Sequence, residues 1–172
     1  MSTGRVPATD VELTAATMAD IDFLFDLTSE PESVYWGGFA RPPEYAALRR
    51  HYEKLIQEGT KTILIVRRGE MPVGFIRYRF DEVGDCVDHS TNISRCFAGQ
   101  GLGRSALARN IALLEDTRPS CRRIVALIRD DNLGSQRMIR ACGFVMTNEF
   151  EERQLDSDSK IIRLHVWVRD LA

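Results

Sequence analysis

The sequence predicts a single α+β domain, a mixed α/β fold with a mostly antiparallel sheet of about seven strands and about four flanking helices. Two observations support this class. Most strand-like segments adjoin one another as hairpins, and only one helical crossover separates them, in the second half. The length of 172 residues suits one domain with a full hydrophobic core. Because no repeat or linker divides the chain, we expect a polar tail at 1–10 and one domain at 11–172.

The first half is predicted to hold the opening strand and two helices. Residues 11–14 alternate between apolar and polar side chains, which predicts a strand. A helix over about 17–29 stops before Pro31, because proline lacks a backbone donor and disfavours helix in the preceding residue. An aromatic, glycine-bearing loop at Tyr35–Phe39 then leads to a second helix at about 43–57.

The remaining strands are predicted to form two hairpins on either side of a polar strand and a crossover. The first hairpin has strands at 61–67 and 73–80. The second has strands at 145–151 and 161–169, joined by a polar loop at 156–159. Between the hairpins lie a polar strand at 88–94, a helix at 104–115, a strand at 123–128 and a helix at 132–142 that Gly143 closes.

Composition and charge exclude several classes of function. The net charge of −2 provides no basic field that would attract nucleic acid or an anionic membrane. The four cysteines form no C-x-x-C pair and the three histidines are scattered, so we expect no metal site. No N-terminal apolar region and no long apolar stretch stand in the sequence. We therefore expect a cytoplasmic protein with reduced cysteines and no membrane contact.

A glycine-rich loop, FAGQGLGRSAL at 97–107, connects the polar strand to a helix. A loop of this kind directs several backbone N–H groups at one point, where the helix dipole adds partial positive charge. Glycine leaves the backbone accessible, because any side chain would stand between it and an anion. The pattern favours a phosphate or pyrophosphate, and a tight turn without a ligand is the alternative.

Two common phosphate-binding motifs fit this loop poorly. A P-loop requires lysine followed by serine or threonine after its last glycine, whereas Arg104 and Ser105 stand here. Residues 101–106 match the dinucleotide pattern G-x-G-x-x-A, and Asp130 ends the next strand. That fold needs an apolar strand running into the glycines and several βαβ units, however, and this chain has a polar strand and one crossover.

A second motif downstream distinguishes between the remaining interpretations. Asn132, Ser135 and the pair Gly143-Phe144 follow the strand at 123–128 in the pattern N-x-x-S…G-F. Together with the glycine loop, this resembles the Gcn5-related N-acetyltransferase (GNAT) superfamily, in which Q/R-x-x-G-x-G/A follows the fourth strand and N-x-x-S…G-F follows the fifth. The order of helices and strands over residues 11–169 is also similar to that of this superfamily. Within it, the sequence most resembles the branch that acts on ribosomal-protein N-termini, amino-sugars and other small amines.

The resemblance implies a sheet that splays between the fourth and fifth strands, with acetyl-coenzyme A as co-substrate in the resulting V and no metal. The loop amides would hold the pyrophosphate, and the fourth strand would pair with the pantetheine arm. Asn132 would reach that arm, Ser135 would cap the helix or contact the coenzyme, and Arg137 would approach a phosphate. The coenzyme-binding residues implied in this way are Thr91, Ile93, Ala98, Gly99, Gln100, Gly101, Leu102, Gly103, Arg104, Asn132, Ser135 and Arg137.

The sequence departs from the family pattern at two positions. Ala98 stands where the loop motif usually has arginine or glutamine, which removes a side-chain contact but leaves the backbone intact. Ile139 stands where many relatives carry a tyrosine that acts as general acid. Water or the product ammonium would then have to protonate the leaving thiolate.

The expected reaction is direct attack of an amine on the acetyl thioester. An amine with a pKa near 10 arrives protonated, so a general base must accept its proton directly or through water. Backbone N–H groups of the fourth strand could stabilise the oxyanion. His89 is the natural base because it titrates near neutrality, Asp88 could act through water, and Asn92 is the third catalytic candidate. Alternation puts Asp88, Ser90 and Asn92 on one face of the strand and His89 and Thr91 on the other.

The amine acceptor is expected to lie against the aromatic loop. Tyr35, Trp36 and Phe39 could stack on it, and Ser90 completes the predicted substrate-binding set. A primary amine of a small molecule and a peptide or protein N-terminus both remain open. The alternative function is a non-catalytic module that binds an acyl-coenzyme A or a protein partner. Arg163, His165 and Trp167 share one face of the last strand, which would suit a homodimer or an ordinary exposed surface.

Overall fold

The computed structural model describes residues 11–155 and 158–172 of the chain. The expected polar tail at 1–10 and residues 156–157 of the last hairpin loop lie outside the described residues. Within the described ranges, no helix combines the length and the apolar character that crossing a membrane requires.

The centre of the fold is a seven-stranded sheet in the order β1-β2-β3-β4-β5-β7-β6, which confirms the predicted mixed sheet. Neighbouring strands run antiparallel except β4 and β5, which run parallel. The strands are β1 (Glu12–Ala15), β2 (Thr62–Arg68), β3 (Met71–Phe80), β4 (Cys86–Ile93), β5 (Arg123–Arg129), β6 (Val145–Gln154) and β7 (Ile161–Asp170).

Five α-helices flank the sheet in the described part of the chain, one more than the sequence predicted. They are α1 (Ile21–Ser29), α2 (Pro31–Gly37), α3 (Tyr45–Glu58), α4 (Leu102–Thr117) and α5 (Leu133–Ala141). Both long helices carry apolar side chains at helical spacing, as with Leu48, Tyr52 and Leu55 on α3.

The extra helix, α2, replaces most of the aromatic loop that the sequence predicted. Tyr35 and Trp36 lie in its last turn, and only Phe39 follows it. Pro31 ends α1, as expected, but it also starts α2, because the first turn of a helix leaves N–H groups without partners and proline loses nothing there. Gly38 then closes α2 with a left-handed φ of 74°.

The sheet carries a separate hydrophobic core on each face. On one face, α4 and α5 cover side chains such as Ile76 of β3 and Ile124 of β5. On the other, α1 and α3 cover neighbours such as Phe75 of β3. We refer to these as the α4 face and the α3 face. Strand alternation sends adjacent residues to opposite faces, which explains why residues 63–66 of β2 and 73–76 of β3 are buried without interruption.

One of the three residues that the sequence placed on a common face of the last strand is not open to solvent. Trp167 is only 1% exposed and belongs to the core of the α4 face. The guanidinium of Arg140 lies 5.3 Å from the centre of its ring. Arg163 and His165 instead pack around the ring of Phe150 on the edge strand β6.

The two parallel strands separate after one register pair, Cys86 with Ile124, which confirms the predicted splay between the fourth and fifth strands. Asp85 holds them together at the closed end. Its buried carboxylate accepts hydrogen bonds from the Arg122 backbone N–H at 3.1 Å and from Arg123 Nε at 2.9 Å. A V-shaped gap therefore opens between β4 and β5 toward their carboxyl ends.

A bulge in β4 determines which side chains face the gap. The register shifts by one residue opposite the segment from Arg77 to Arg79, and Asp88 has a φ of 54°. Because of this extra residue, both Cys86 and His89 point to the α4 face although they are three positions apart. The strand also begins at Cys86, two residues before the predicted start.

Gly74 on β3 lies directly against the backbone of β4, where a Cβ would overlap with the carbonyl oxygen of Asn92. We expect Gly74→Ala to lower the free energy of unfolding by about 2 kcal/mol, because the overlap forces the strands apart. Gly134→Ala is the matched control: a Cβ there meets only Asn132 Oδ1, at 3.8 Å. Alanine in this helical position should raise stability by up to about 1 kcal/mol. Urea unfolding measures both, and a Gly74→Ala protein as stable as the wild type would contradict the tight strand contact.

Candidate active site

The gap between β4 and β5 forms a cleft of about 160 Å³. Side chains and backbone from β4, β5, α4 and α5 meet there, and most of them come from segments that the sequence had singled out. The lining residues are His89, Ser90, Thr91, Leu107, Ala126, Leu127, Ile128, Asn132, Ser135, Met138 and Ile139. Strand separation is the origin of this cleft, because paired strands would leave no space between β4 and β5.

The glycine-rich loop leads from β4 into the N-terminus of α4. Gly99 and Gly101 have φ values of 75° and 77°, which favour glycine, and the space that a Cβ would occupy at each is open. No side chain caps α4, and its first turn carries no acidic residue. The first N–H groups of the helix and its dipole thus remain available to an anion.

Gly103 has a different role from the other two glycines. A Cβ at this position would lie 2.8 Å from Met138 Sδ and 3.4 Å from Ile93 Cγ1. It therefore permits close packing of α4 against α5 and β4, as glycine does where two elements approach closely. Ile93, predicted at the coenzyme, is accordingly a packing neighbour of the helix start.

The polar side chains around the loop point outward. Gln100 Oε1 accepts a hydrogen bond from Arg68 Nη1 at 3.2 Å. Arg104, in the first turn of α4, and Arg137, on α5, are both exposed. They lie on the two helices, α4 and α5, that contribute residues to the cleft. Ala98 adds no polar group of its own beside the loop.

His89 occupies a buried position on the α4 face of β4. It is 5% exposed, and its ring stacks on that of Tyr78 with centroids 5.9 Å apart. Asn110 Nδ2, from α4, lies 3.2 Å from His89 Nε2, a contact that suits an amide donor and an unprotonated ring nitrogen. Burial lowers the pKa of His89 to about 4. The imidazole is therefore neutral at pH 7.

Thr91 also faces the gap. Its Oγ1 is buried and has no hydrogen-bond partner among the described residues. A buried hydroxyl without a partner costs free energy, so this atom is satisfied only if something polar enters the cleft.

The other set of alternating residues on β4, which includes Ser90 and Asn92, points to the α3 face. Asn92 Nδ2 donates to Ser33 Oγ of α2 at 3.2 Å. Asp88, at the bulge, pairs with Arg79 of β3. Ser90 lies between them and lines the cleft. The predicted separation of Asp88, Ser90 and Asn92 from His89 and Thr91 is thus observed, with the bulge at the point where alternation changes.

The start of α5 supplies the second predicted motif. Asn132 is its N-cap, and the Oδ1 atom accepts from the Ser135 N–H at 3.0 Å. The capping side chain is therefore Asn132, not Ser135 as the sequence had allowed. Ile139, at the position of the expected tyrosine, is 3% exposed and contributes only methyl and methylene groups to the cleft.

Helix α2 forms a wall over the α3 side of the cleft, and two residues that the sequence analysis missed fix it there. Glu30, just before α2, accepts from Ser94 Oγ and from the Arg95 N–H at the end of β4. Arg129, at the end of β5, donates to the Tyr35 carbonyl at 3.1 Å. The wall is thus attached to both strands that border the gap.

Arg129 also makes contacts that hold its own guanidinium in place. Its side chain is 3% exposed and forms two hydrogen bonds to the carboxylate of Asp131, at 2.9 and 2.7 Å. The guanidinium holds the pKa of Asp131 below its usual range. The rings of Tyr35 and Trp36 pack over the same group, at 4.9 and 5.2 Å. The sequence signal for this anchor was an arginine at the end of an apolar strand, two residues before Asp131.

The predicted aromatic residues lie on this wall rather than in a loop. Tyr35 is 55% exposed, Trp36 39% and Phe39 57%. Tyr35 and Trp36 pack edge to face on each other, with centroids 4.8 Å apart. Gly38 lies against Leu155 of the last hairpin, because a Cβ at Gly38 would overlap with the leucine side chain. Phe39 continues the exposed aromatic surface beyond the helix.

The sequence matches the acetyltransferase (GNAT) domain family over residues 10–145. The chain belongs to the GNAT family. This confirms the resemblance seen in the two motifs, and the GNAT domain makes the chain an acyltransferase. A comparison with curated protein sequences finds no match.

Solved structures share the GNAT fold at low sequence identity. A spermidine N-acetyltransferase from Vibrio cholerae, solved with coenzyme A and spermine, has a TM-score of 0.79 at 14% identity over 93% of this chain and 95% of its own. An acetyl transferase from Salmonella typhimurium that modifies the N-terminal serine of ribosomal protein L7/L12 has a TM-score of 0.79 at 17% identity, over 95% of this chain and 96% of its own. The aminoglycoside acetyltransferase AAC(6')-Ib, solved with coenzyme A, has a TM-score of 0.74 at 19% identity, over 94% of this chain and 95% of its own.

The buried histidine predicts an acid-sensitive stability. The folded state holds fewer protons on His89 than the unfolded state does between pH 6.5 and about 4. The contribution of neutral His89 to the free energy of unfolding is therefore fully present above pH 6.5. It is lost as the pH falls through this window, by about 2 kcal/mol at pH 5. We expect His89→Gln to lack this loss, and His165→Gln, on the sheet surface, to retain it. Urea unfolding at pH 7.5 and pH 5 tests this, and equal pH dependence in wild type and His89→Gln would contradict it.

Proposed function

We propose that this GNAT protein transfers the acetyl group of acetyl-coenzyme A to a primary amine, either of a small molecule or of a peptide or protein N-terminus. One observation carries the proposal: the open glycine loop and helix N-terminus lie at the end of a cleft that exists because β4 and β5 separate. Related folds have been solved with coenzyme A and with an amine, spermine.

The residues present suit the coenzyme. The open space at Gly99 and Gly101 admits a phosphate to the backbone, and the uncapped start of α4 favours negative charge. Arg104 and Arg137 add exposed cations nearby. Thr91 Oγ1, buried without a partner, could bond to an amide of the pantetheine arm, and Asn132 and Ser135 line the opposite wall. When bound, acetyl-coenzyme A supplies an activated acetyl thioester.

The chain's own residues would prepare the amine. His89 is the one titratable side chain among the residues that line the described cleft, so we assign it as proton acceptor. Its pKa of about 4 keeps it unprotonated at neutral pH but also makes it a weak base. It would therefore accept the proton at Nε2 in exchange for the hydrogen bond from Asn110, directly or through water, as the amine nitrogen becomes acidic on forming its bond to the acyl carbon. Asp88 would act through water, and Asn92 would orient the amine.

The acceptor itself would lie on the α3 side of the cleft. Helix α2 presents Tyr35 and Trp36 there, with Phe39 beyond, and Ser90 lies at the strand below. Exposed aromatic rings at a cleft can stack on flat or sugar-like groups. The wall is fixed by Glu30 and Arg129, so its position does not depend on the acceptor.

A non-catalytic module that binds an acyl-coenzyme A is the second candidate function. The observation that favours it is Ile139, which puts an apolar side chain where a general acid is common in the family. Such a module would bind the coenzyme without turning over any amine.

Coenzyme binding can be tested by a charge change in the loop. Gly101→Asp introduces a carboxylate beside the proposed pyrophosphate, and Gly101→Asn is nearly isosteric, so both meet the same backbone strain at φ 77°. We expect wild type and Gly101→Asn to be stabilised by acetyl-coenzyme A in thermal denaturation, and Gly101→Asp to bind at least about tenfold more weakly than Gly101→Asn. Absence of any shift for the wild type at saturating coenzyme would overturn the proposal.

Catalysis can be tested by thiol release with a panel of primary amines. We expect His89→Gln to lower kcat about 100-fold at pH 8 with little change in KM, because a lost general base affects the transition state. Asp88→Asn should have a smaller effect. The coenzyme-induced thermal shift of each variant controls for folding. Wild-type kcat for His89→Gln would exclude His89 as the base, and coenzyme binding without thiol release for any amine of the panel would favour the non-catalytic module.

A further inference from the structure

Arg77 lies on the face of the sheet that is proposed for the acceptor. It stands on β3 directly opposite Ser90 of β4, so the two side chains leave the sheet on the same face. Ser90 lines the cleft. The next cross-strand pair along, Phe75 with Asn92, is on this face too, because Phe75 belongs to the core under α1 and α3.

Arg77 differs from the other shielded arginines of the described chain. A fully buried arginine almost always has a carboxylate partner, because desolvating an unpaired charge is costly, and most half-buried arginines of the described chain are paired as well. Such partners exist in four cases: Arg67 with Asp20, Arg79 with Asp88, Arg129 with Asp131 and Arg169 with Glu115. Arg77 is half-buried, and no described carboxylate pairs with it. Its guanidinium is therefore available to an anion on the face of the sheet that is proposed for the acceptor.

The surroundings of Arg77 add positive charge rather than compensate it. Asp88, the carboxylate on the neighbouring strand, is already paired with Arg79. Lys61, half-buried at the start of β2, makes no ion pair with any described residue. Burial, followed by the charges of Arg77, Lys61 and Lys54, lowers the pKa of His51 on α3. The same field would oppose a polycation at this site.

We propose that the acceptor amine carries a carboxylate that pairs with Arg77, and that the site disfavours polycationic amines. The inference rests on the proposed function. Two sources share this chemistry: a peptide N-terminus followed by an acidic residue, and a free acidic amino acid. Arginine suits the role because its planar guanidinium can hold both oxygens of a carboxylate.

The proposal also fits the weak base assigned above. An α-amino group in a peptide has a pKa of about 7.7–8.0, against about 10.4 for a lysine-like amine. At neutral pH a larger share of peptide α-amines than of lysine-like amines is therefore already unprotonated.

The test compares acceptors that differ in one charge. Thiol release is measured with the tripeptide amides Ala-Glu-Ala, Ala-Gln-Ala and Ala-Lys-Ala, and with free glutamate and spermidine. We expect wild-type kcat/KM to be at least about tenfold higher for the glutamate peptide than for the lysine peptide, mainly through KM. Turnover of free glutamate would identify an amino acid acceptor, and turnover of the peptide alone would identify an N-terminus.

Variants assign the preference to Arg77. We expect Arg77→Gln to reduce the ratio of kcat/KM for the glutamate peptide to that for the lysine peptide below about threefold. Arg77→Lys should keep part of this ratio, since lysine retains the charge without the planar fork. Arg49→Gln, which removes an exposed charge from α3, should keep the wild-type ratio. Acetyl-coenzyme A should stabilise every variant.

The possible failures are distinguishable. If amines are acetylated but the lysine peptide or spermidine is used as well as the glutamate peptide, the inference about the acceptor is wrong and the acetyltransferase proposal stands. An unchanged ratio in Arg77→Gln would also refute it. If no amine in the panel is acetylated while the coenzyme still binds, the proposed function fails and the inference fails with it.

Discussion

The separation of β4 from β5 is the constraint on which the rest of the site depends. Two parallel strands that pair once and then diverge leave backbone donors and acceptors along both inner edges of the gap. Such groups are costly to bury without partners. The buried carboxylate of Asp85 closes one end of the V, and the glycine loop and α4 lie at the other. The fold thus holds open a polar slot that a ligand with peptide-like groups can complete.

Much of this architecture could be predicted from the sequence because it follows from local patterns. The seven strands follow from alternation and hairpin turns, and the two motifs at 97–107 and 132–144 gave the family. The second motif also supplied Asn132, Ser135, Met138 and Ile139 to the lining of the cleft, whereas residues 98–104 of the first do not line it. The helix α2 was missed because Pro31 can end one helix and start another, and the sequence does not tell which. The bulge at Asp88 was missed because a one-residue register shift leaves no trace in composition.

Long-range contacts account for the rest of what the sequence did not reveal. Glu30 and Arg129 are far apart in the chain, yet both anchor α2, and only the folded sheet brings them to the same wall. His89 is a similar case. The sequence predicts a residue that titrates near neutrality, whereas burial between Tyr78 and Asn110 removes that property. Environment, not residue type, sets the chemistry of such a group.

The alternation of β4 has a consequence for how this protein can diversify. The strand carries two separate sets of side chains: Thr91 and Ile93 are directed to the α4 face, whereas Ser90 and Asn92 are directed to the α3 face. Under the proposed function, residues 30–39 and β3 would form the rest of the acceptor site, and residues 98–104 would hold the coenzyme. Mutations can therefore accumulate in one set without disturbing the other. A gene of this design can acquire a new substrate while its shared donor stays the same.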